Sequence, residues 1–209
     1  MKKSPSDTLE FILKRWNITP SRRNPIEIPN IDRWDLAKLF FELDMNLGTE
    51  IGVLFGRYSK ILCEANPKLK LFSIDPWQKY DEYRDLKIQK DFDDLYEKTK
   101  TNLAQFNCKI IREKSMDAVK NFPDNFLDFV YIDGNHEFAS ETNDVCEWSK
   151  KVRPGGIISG HDYLHYRQRS YSHSYEVVNA YTCAYRITPW FVTERSSKDP
   201  IRSWFWVKS

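Results

Sequence analysis

From residue 47 onward the chain alternates between short apolar, β-branched or aromatic runs and longer segments with helical spacing, and this alternation most restricts what it can fold into. "TEIGVLF", "KLFSID", "CKIIRE", "FLDFVYID" and "GGIISGHD" read as five strands in succession. Between them lie "YSKILCEANP", "QKDFDDLYEKTKTNLAQF", "SMDAVKNFP" and "ASETNDVCEWSKKV", whose apolar residues fall at helical intervals. "SYEVVNAYTCAY" adds a helix, and "WFVTE" and "SWFWVK" two late strands. Strands joined through helices pair in parallel by right-handed crossovers. The expected class is therefore α/β, a doubly wound and mostly parallel sheet, which binds ligands outside the carboxyl ends of its strands.

The glycines point to the same place. The chain has only seven, and Gly48, Gly52 and Gly56 fall at intervals of four around the first of these strands. Gly134 follows the fourth, while Gly155, Gly156 and Gly160 flank the fifth. In a doubly wound sheet these three strands are neighbours, so their ends line one crevice. Glu50-x-Gly52-x-x-x-Gly56 sits where the first strand turns into a helix; glycine there either lets backbone approach a ligand or serves a tight turn by conformation alone. The spacing is not the dinucleotide G-x-G-x-x-G, and no G-K-[ST] phosphate loop is present. Glu50 would repel a pyrophosphate and suits a cationic ligand.

Asp75 ends the second strand, 25 residues after Glu50. An acid there can accept both hydroxyls of a ribose, or cap the turn that Pro76 begins. Ser115 and Met116 follow the third strand, where an adenine edge would lie; a serine opening a short helix is also a common N-cap. "IDGNHEF" and "GHDY" bring a second group of polar residues to adjacent strand ends: Asp133, His136, His161 and Asp162.

"EIGVLFGRYS", "LFSIDPW", "FVYIDGNHEF" and "RPGGIISGHDY", in this order, resemble a class I S-adenosylmethionine-dependent methyltransferase. Within that superfamily the chain is most similar to methyltransferase domain family 24, relatives of macrocin-type and cephalosporin-pathway methyltransferases. The resemblance covers about residues 47 to 208 and implies a Rossmann-like sheet of seven strands, one of them antiparallel. It implies S-adenosyl-L-methionine held by Glu50, Gly52, Gly56 and Asp75, with Ser115, Met116 and Asp133 completing the cofactor set. By the same resemblance, Asp133, His161 and Asp162 occupy the positions that hold magnesium in metal-dependent relatives. His161 departs from the oxygen ligand usual there, and histidine suits softer ions than magnesium. The alternative is that these residues cap strand ends and order the loops. The implied activity is methyl transfer to a small acceptor, a hydroxyl of a sugar or secondary metabolite. Its proton would go to His136 or His161, beside Asp133, or a divalent cation would lower the hydroxyl pKa.

Residues 1–46 lie outside the resemblance. "DTLEFILKRW" reads as a helix, "NITPSRRNPIEIPN" as a surface arm, and "IDRWDLAKLFFELD" as a second helix capped by Asn30 or Asp32. We read 1–46 as an N-terminal helical extension, a lid or a homo-oligomer contact, and 47–209 as the methyltransferase domain. "HDYLHYRQRSYSHSY", rich in tyrosine and histidine, reads as a wall over the crevice.

Net charge is +2, which argues against nucleic acid as partner. "IDGN" also replaces the Pro-Pro-aromatic motif that many base methyltransferases carry after the fourth strand. A nicotinamide enzyme would need closer glycines. A non-catalytic S-adenosylmethionine sensor or partner subunit would share the cofactor groove. "MKKSPSDTLEF" lacks a secretory h-region, and no apolar run approaches the roughly 20 residues of a membrane span. Four scattered cysteines without metal spacing read as reduced, buried thiols of a cytoplasmic protein.

Overall fold

The computed structural model describes residues 2–19, 23–79, 89–165 and 172–209. The helices are α1 (Pro5–Arg15), α2 (Arg33–Glu42), α3 (Arg57–Ala65), α4 (Gln89–Leu103), α5 (Ser115–Ala118), α6 (Phe138–Lys151) and α7 (Ser174–Ala184). The strands are β1 (Ile26–Ile28), β2 (Leu47–Ile51), β3 (Lys70–Ile74), β4 (Cys108–Ile111), β5 (Leu127–Ile132), β6 (Val152–Tyr163), β7 (Phe191–Thr193) and β8 (Arg202–Val207). They form one sheet in the order β1-β7-β8-β6-β5-β2-β3-β4. All neighbours pair in parallel except around β8, which is antiparallel to both β6 and β7. The doubly wound architecture is as expected, with eight strands where seven were predicted.

The extra strand is β1, within the stretch read as a surface arm. It pairs with β7, Ile26 opposite Phe191 and Ile28 opposite Thr193, and Ile28 is buried. The arm expectation is therefore corrected for 26–28: the alternation I-E-I is too short to signal a strand until β7 supplies a partner. A second correction concerns "RPGG". The fifth strand is expected to begin at Gly155, but β6 begins at Val152 and runs through these residues, with a register shift against β5.

Both faces of the sheet are covered. In β5, Phe129 and Tyr131 join the core under α1, α2 and α3, while Val130 and Ile132 join the core under α6 and α7. Strand alternation thus sends successive side chains into two apolar layers, the pattern of a parallel sheet covered on both sides. Residues 1–46 supply much of one layer: Ile12, Leu36, Phe40 and Met45 are sealed against Phe129, Ile157 and Phe205. Thr8 of α1 also donates a buried hydrogen bond to the Gly155 carbonyl (2.8 Å). The C-terminal aromatics finish the core, with Trp204 and Trp206 stacked at 5.1 Å on the α6–α7 side.

All four cysteines are free, and Cys183 is exposed rather than buried. No helix among the described residues is long and apolar enough to cross a membrane. Of the tyrosine-rich segment expected to wall the crevice, residues 166–171 lie outside the described residues.

Candidate active site

The ends of β2, β3 and β5, with the starts of α2, α5 and α6, surround a cavity of about 710 Å³. The loop after β2 turns sharply: Gly52 has φ +84° and Gly56, the N-cap of α3, has φ +70°. A Cβ on Gly52 would collide with the Asp133 carbonyl. The glycine therefore lets the β2 and β5 loops pass each other, and also lines the cavity. Gly56 does not line it; its Cβ would meet Thr99 of α4, so its role is packing and the left-handed turn.

Glu50 lines the cavity yet is 2% exposed. Ser59 donates to its carboxylate, and Ser59 also pairs with Ser73 at 2.6 Å. Burial holds the Glu50 carboxyl well above its ordinary pKa, against the opposing Ser59 bond. A cation arriving beside it would favour ionisation.

Asp75 both caps the loop and faces the cavity. Its Oδ2 accepts from the amides of Val53 and Leu54, each at 3.0 Å, and Oδ1 accepts from Trp77 at 2.7 Å. Burial raises its pKa, and those amides oppose the rise. Four lone-pair sites less three amides leave one acceptor site, on Oδ1. As folded, Asp75 therefore keeps room for a further donor from the cavity.

Ser115 is not a cap. Lys114 holds the N-cap position of α5 without a side-chain bond, and Ser115 Oγ instead donates to Asp144 Oδ1 and accepts from Trp148 Nε1 (2.7 Å). Met116 lines the same wall. Asp144 of α6 is 4% exposed, and burial lifts its pKa to about 7.

The polar group at the ends of β5 and β6 is only partly the expected one. Asp133, His136 and Asp162 bring one ligand atom each within 4.8 Å of one another. His136 Nε2 lies 3.1 Å from Asp162 Oδ2 and 3.5 Å from Asp133 Oδ1, while Nδ1 lies 3.4 Å from Glu141. Burial disfavours the imidazolium, but bonds to Asp133, Asp162 and Glu141 outweigh it and raise the His136 pKa well above normal. The Asp162 carboxylate is in turn held well below the ordinary range: burial opposes this, and His136 and His161 prevail.

His161 turns away from the cavity. It is 5% exposed and outside the lining; Nδ1 meets Asp162 at 3.1 Å and Nε2 meets Asp199 at 3.3 Å. With both ring nitrogens engaged, it holds Asp162 in place. The three-residue group that could bind a cation thus contains His136 where His161 was expected.

Arg33, the first residue of α2, lines the cavity as well. Its guanidinium lies 3.7 Å from Asp133 and 3.4 Å from Asp199, and its Nε is buried without a hydrogen-bond partner among the described residues. Arg33, Glu141, Asp144 and Asp199 were all missed. Each lies on a helix or late loop, where a charge reads as a solvated face; only the tertiary fold brings them to the strand ends.

A doubly wound sheet with acids at the ends of β2, β3 and β5 around one crevice defines the class I methyltransferase type. Residues 49–163 match the family described as a methyltransferase domain, more than half of the chain, and the chain belongs to that family. It is 21% identical over 120 residues to protein y4gI of Sinorhizobium fredii; the match spans 56% of this chain but 13% of that relative's length. Among solved structures, the O-methyltransferase from Bacillus cereus in complex with SAH is similar with TM-score 0.62 and 15% identity, over 97% of this chain and 91% of that one. An rRNA methylase from Streptococcus thermophilus is similar with TM-score 0.57 and 10% identity, over 84% and 93%. At such identities these likenesses establish the fold, and their different acceptors leave the substrate to be argued from the site.

Proposed function

We propose that the protein transfers a methyl group from S-adenosyl-L-methionine to a hydroxyl of a small molecule. The observation that carries this reading is His136, an imidazole on the cavity wall between Asp133 and Asp162 at the strand ends. Transfer is an in-line displacement on a methyl group activated by a sulfonium, so the main task is alignment. Glu50 and Asp75 suit the cationic and ribosyl parts of the cofactor. Ser115 and Met116 suit the base.

A hydroxyl acceptor must also lose a proton. His136 is within the cavity to accept it, but three carboxylates keep the ring charged in the absence of a ligand. A positive sulfonium beside Asp133 would repel that charge and move the imidazole toward its neutral, basic form. Asp133, His136 and Asp162 also fit a divalent cation: two carboxylates and an imidazole converge, a donor set suited to manganese, iron or zinc at least as well as magnesium. Such a cation would supply Lewis acidity toward a bound hydroxyl. His161 would then steady Asp162 rather than ligate. The cavity volume and the modest net charge support a small acceptor over nucleic acid.

The test is methyl transfer from labelled S-adenosylmethionine to a panel of small hydroxylated acceptors, with and without a chelator. We expect O-methyl product, and a loss of about 10²–10⁴ in rate for His136→Ala. If the metal acts, chelation stops turnover while cofactor binding survives, and added divalent ions restore it. Cofactor binding without transfer to any acceptor would favour the sensor or partner-subunit reading instead.

A further inference from the structure

Resting on the methyl-transfer reading above, we propose that the acceptor carries a carboxylate beside its hydroxyl and that Arg33 binds this carboxylate. Arg33 opens α2, ahead of residues 49–163 that match the family, so the matched segment does not supply this part of the cavity wall. A guanidinium presents five N–H donors in a planar fork that takes a carboxylate two bonds at a time. In Arg33 those donors are poorly used. Nε is buried without a hydrogen-bond partner among the described residues. Nη1 stands 3.7 Å from Asp133 Oδ2 and Nη2 3.4 Å from Asp199 Oδ1, both beyond the roughly 2.7–3.2 Å of a good hydrogen bond. The two acids therefore aim the guanidinium without consuming its donors.

The surroundings hold it in place. Its carbon lies 5.4 Å from the centre of the Trp34 ring and 6.0 Å from that of Tyr58. The Tyr58 hydroxyl donates to the Arg33 carbonyl at 3.0 Å. Asp133 ties this group to the chemistry: Oδ2 faces Arg33 and Oδ1 faces His136 Nε2 at 3.5 Å. Guanidinium and imidazole thus flank the two oxygens of one carboxylate, a span that a single small hydroxy acid bridges. A phosphate dianion fits less well, because Asp133 and Asp199 would repel it about twice as strongly as a carboxylate. The cofactor's amino-acid end offers the same chemistry, but the wall holds a separate cation for it in Arg57, the first residue of α3 after the β2 loop.

Transfer from labelled S-adenosylmethionine tests this on the acceptor panel above, extended with glucuronate, salicylate and lactate, each paired with its neutral primary amide. In the pair methylated fastest, wild type should favour the acid by about 10- to 100-fold in kcat/KM. Arg33→Gln should bring acid and amide within about threefold of each other, and Arg33→Lys, which keeps the charge but not the fork, should fall between. Equal rates on acid and amide in wild type, or a preference that survives Arg33→Gln, overturn the assignment while the methyl-transfer reading stands. A loss of about tenfold or more in S-adenosylhomocysteine affinity in Arg33→Gln, read by calorimetry, also overturns it, since Arg33 would then hold the cofactor's carboxylate. Should the variant fail to fold, phenylglyoxal labelling of wild type decides: the acid should protect Arg33 and the amide should not, and equal labelling overturns the assignment. If S-adenosylhomocysteine binds but no compound of the panel is methylated, the transfer reading falls and this inference with it.

Discussion

At the scale of single residues, Asp144 combines deep burial with an ionisable carboxyl. Its pKa stands at about 7 in the fold against a reference of 3.8. Between those values the folded state keeps a proton that the unfolded chain has lost, so stability falls as pH rises through the window, and the cost is complete above it. Asp144→Asn should therefore be more stable than wild type at pH 8 by up to about 4 kcal/mol. The advantage should vanish below about pH 4. Urea melts at both pH values measure this, and an equal gap at both would contradict it. Gly52 makes a different demand. Its φ of +84° and the Asp133 carbonyl beside it exclude a side chain, so Gly52→Ala should cost roughly 3 kcal/mol or more, from backbone strain plus collision. A thermal melt within a degree of wild type would show that the two loops can separate freely. The glycine spacing marked the right loop from sequence, but not the reason: at Gly52 the obstacle is the neighbouring strand's own backbone.

At the scale of elements, α2 shows how a local signal serves a distant site. Asp32 caps the helix through the amides of Trp34 and Asp35, and Asp35 returns the bond to the Asp32 amide. That box fixes the first turn, and with it Arg33 over Asp133. Asp32→Ala should cost about 1 kcal/mol, lowering Tm by roughly 2–4 °C for a domain of this size. A differential scanning measurement showing no change would mean that the Arg33 contacts alone hold the turn. Legibility followed the range of the interactions. The strands from β2 to β6 and their intervening helices were readable because each carries its own period and its own stop. Three-residue β1 was not, since its only evidence is a partner more than 160 positions away. The site divided the same way: Glu50, Asp75, Asp133, His136 and Asp162 announce themselves at strand ends, whereas Arg33, Asp144 and Asp199 become part of it only through packing. The resemblance placed His161 among the ligands, yet the backbone turns left-handed at Asp162 (φ +58°), and the His161 ring reaches back to the Asp162 carboxylate and on to Asp199 rather than into the cavity.

At the scale of the whole molecule, residues 1–46 pack into one apolar layer of the sheet and pair with its edge. Removing them would uncover the apolar layer formed by Tyr58, Leu62, Phe129, Tyr131 and Phe205 and delete one edge strand. A chain of 47–209 alone should lack a cooperative unfolding transition and self-associate, which sedimentation and calorimetry would reveal. A monomeric, cooperatively melting fragment would establish the boundary near residue 46 as a true domain limit. The order of the sheet also has a consequence for synthesis. Within this sheet β1 leaves the ribosome before the other strands, but it pairs only with β7, and β7 is tied to β6 solely through β8, which is made after all the others. At about 5–20 residues per second, β1 waits roughly 10–30 s for its neighbour. Throughout that interval the α1–α2 segment has no complete surface on which to settle. Nascent chains arrested before β8 emerges should thus remain open to protease in the α1–α2 segment, and gain protection there only after β8 clears the exit tunnel.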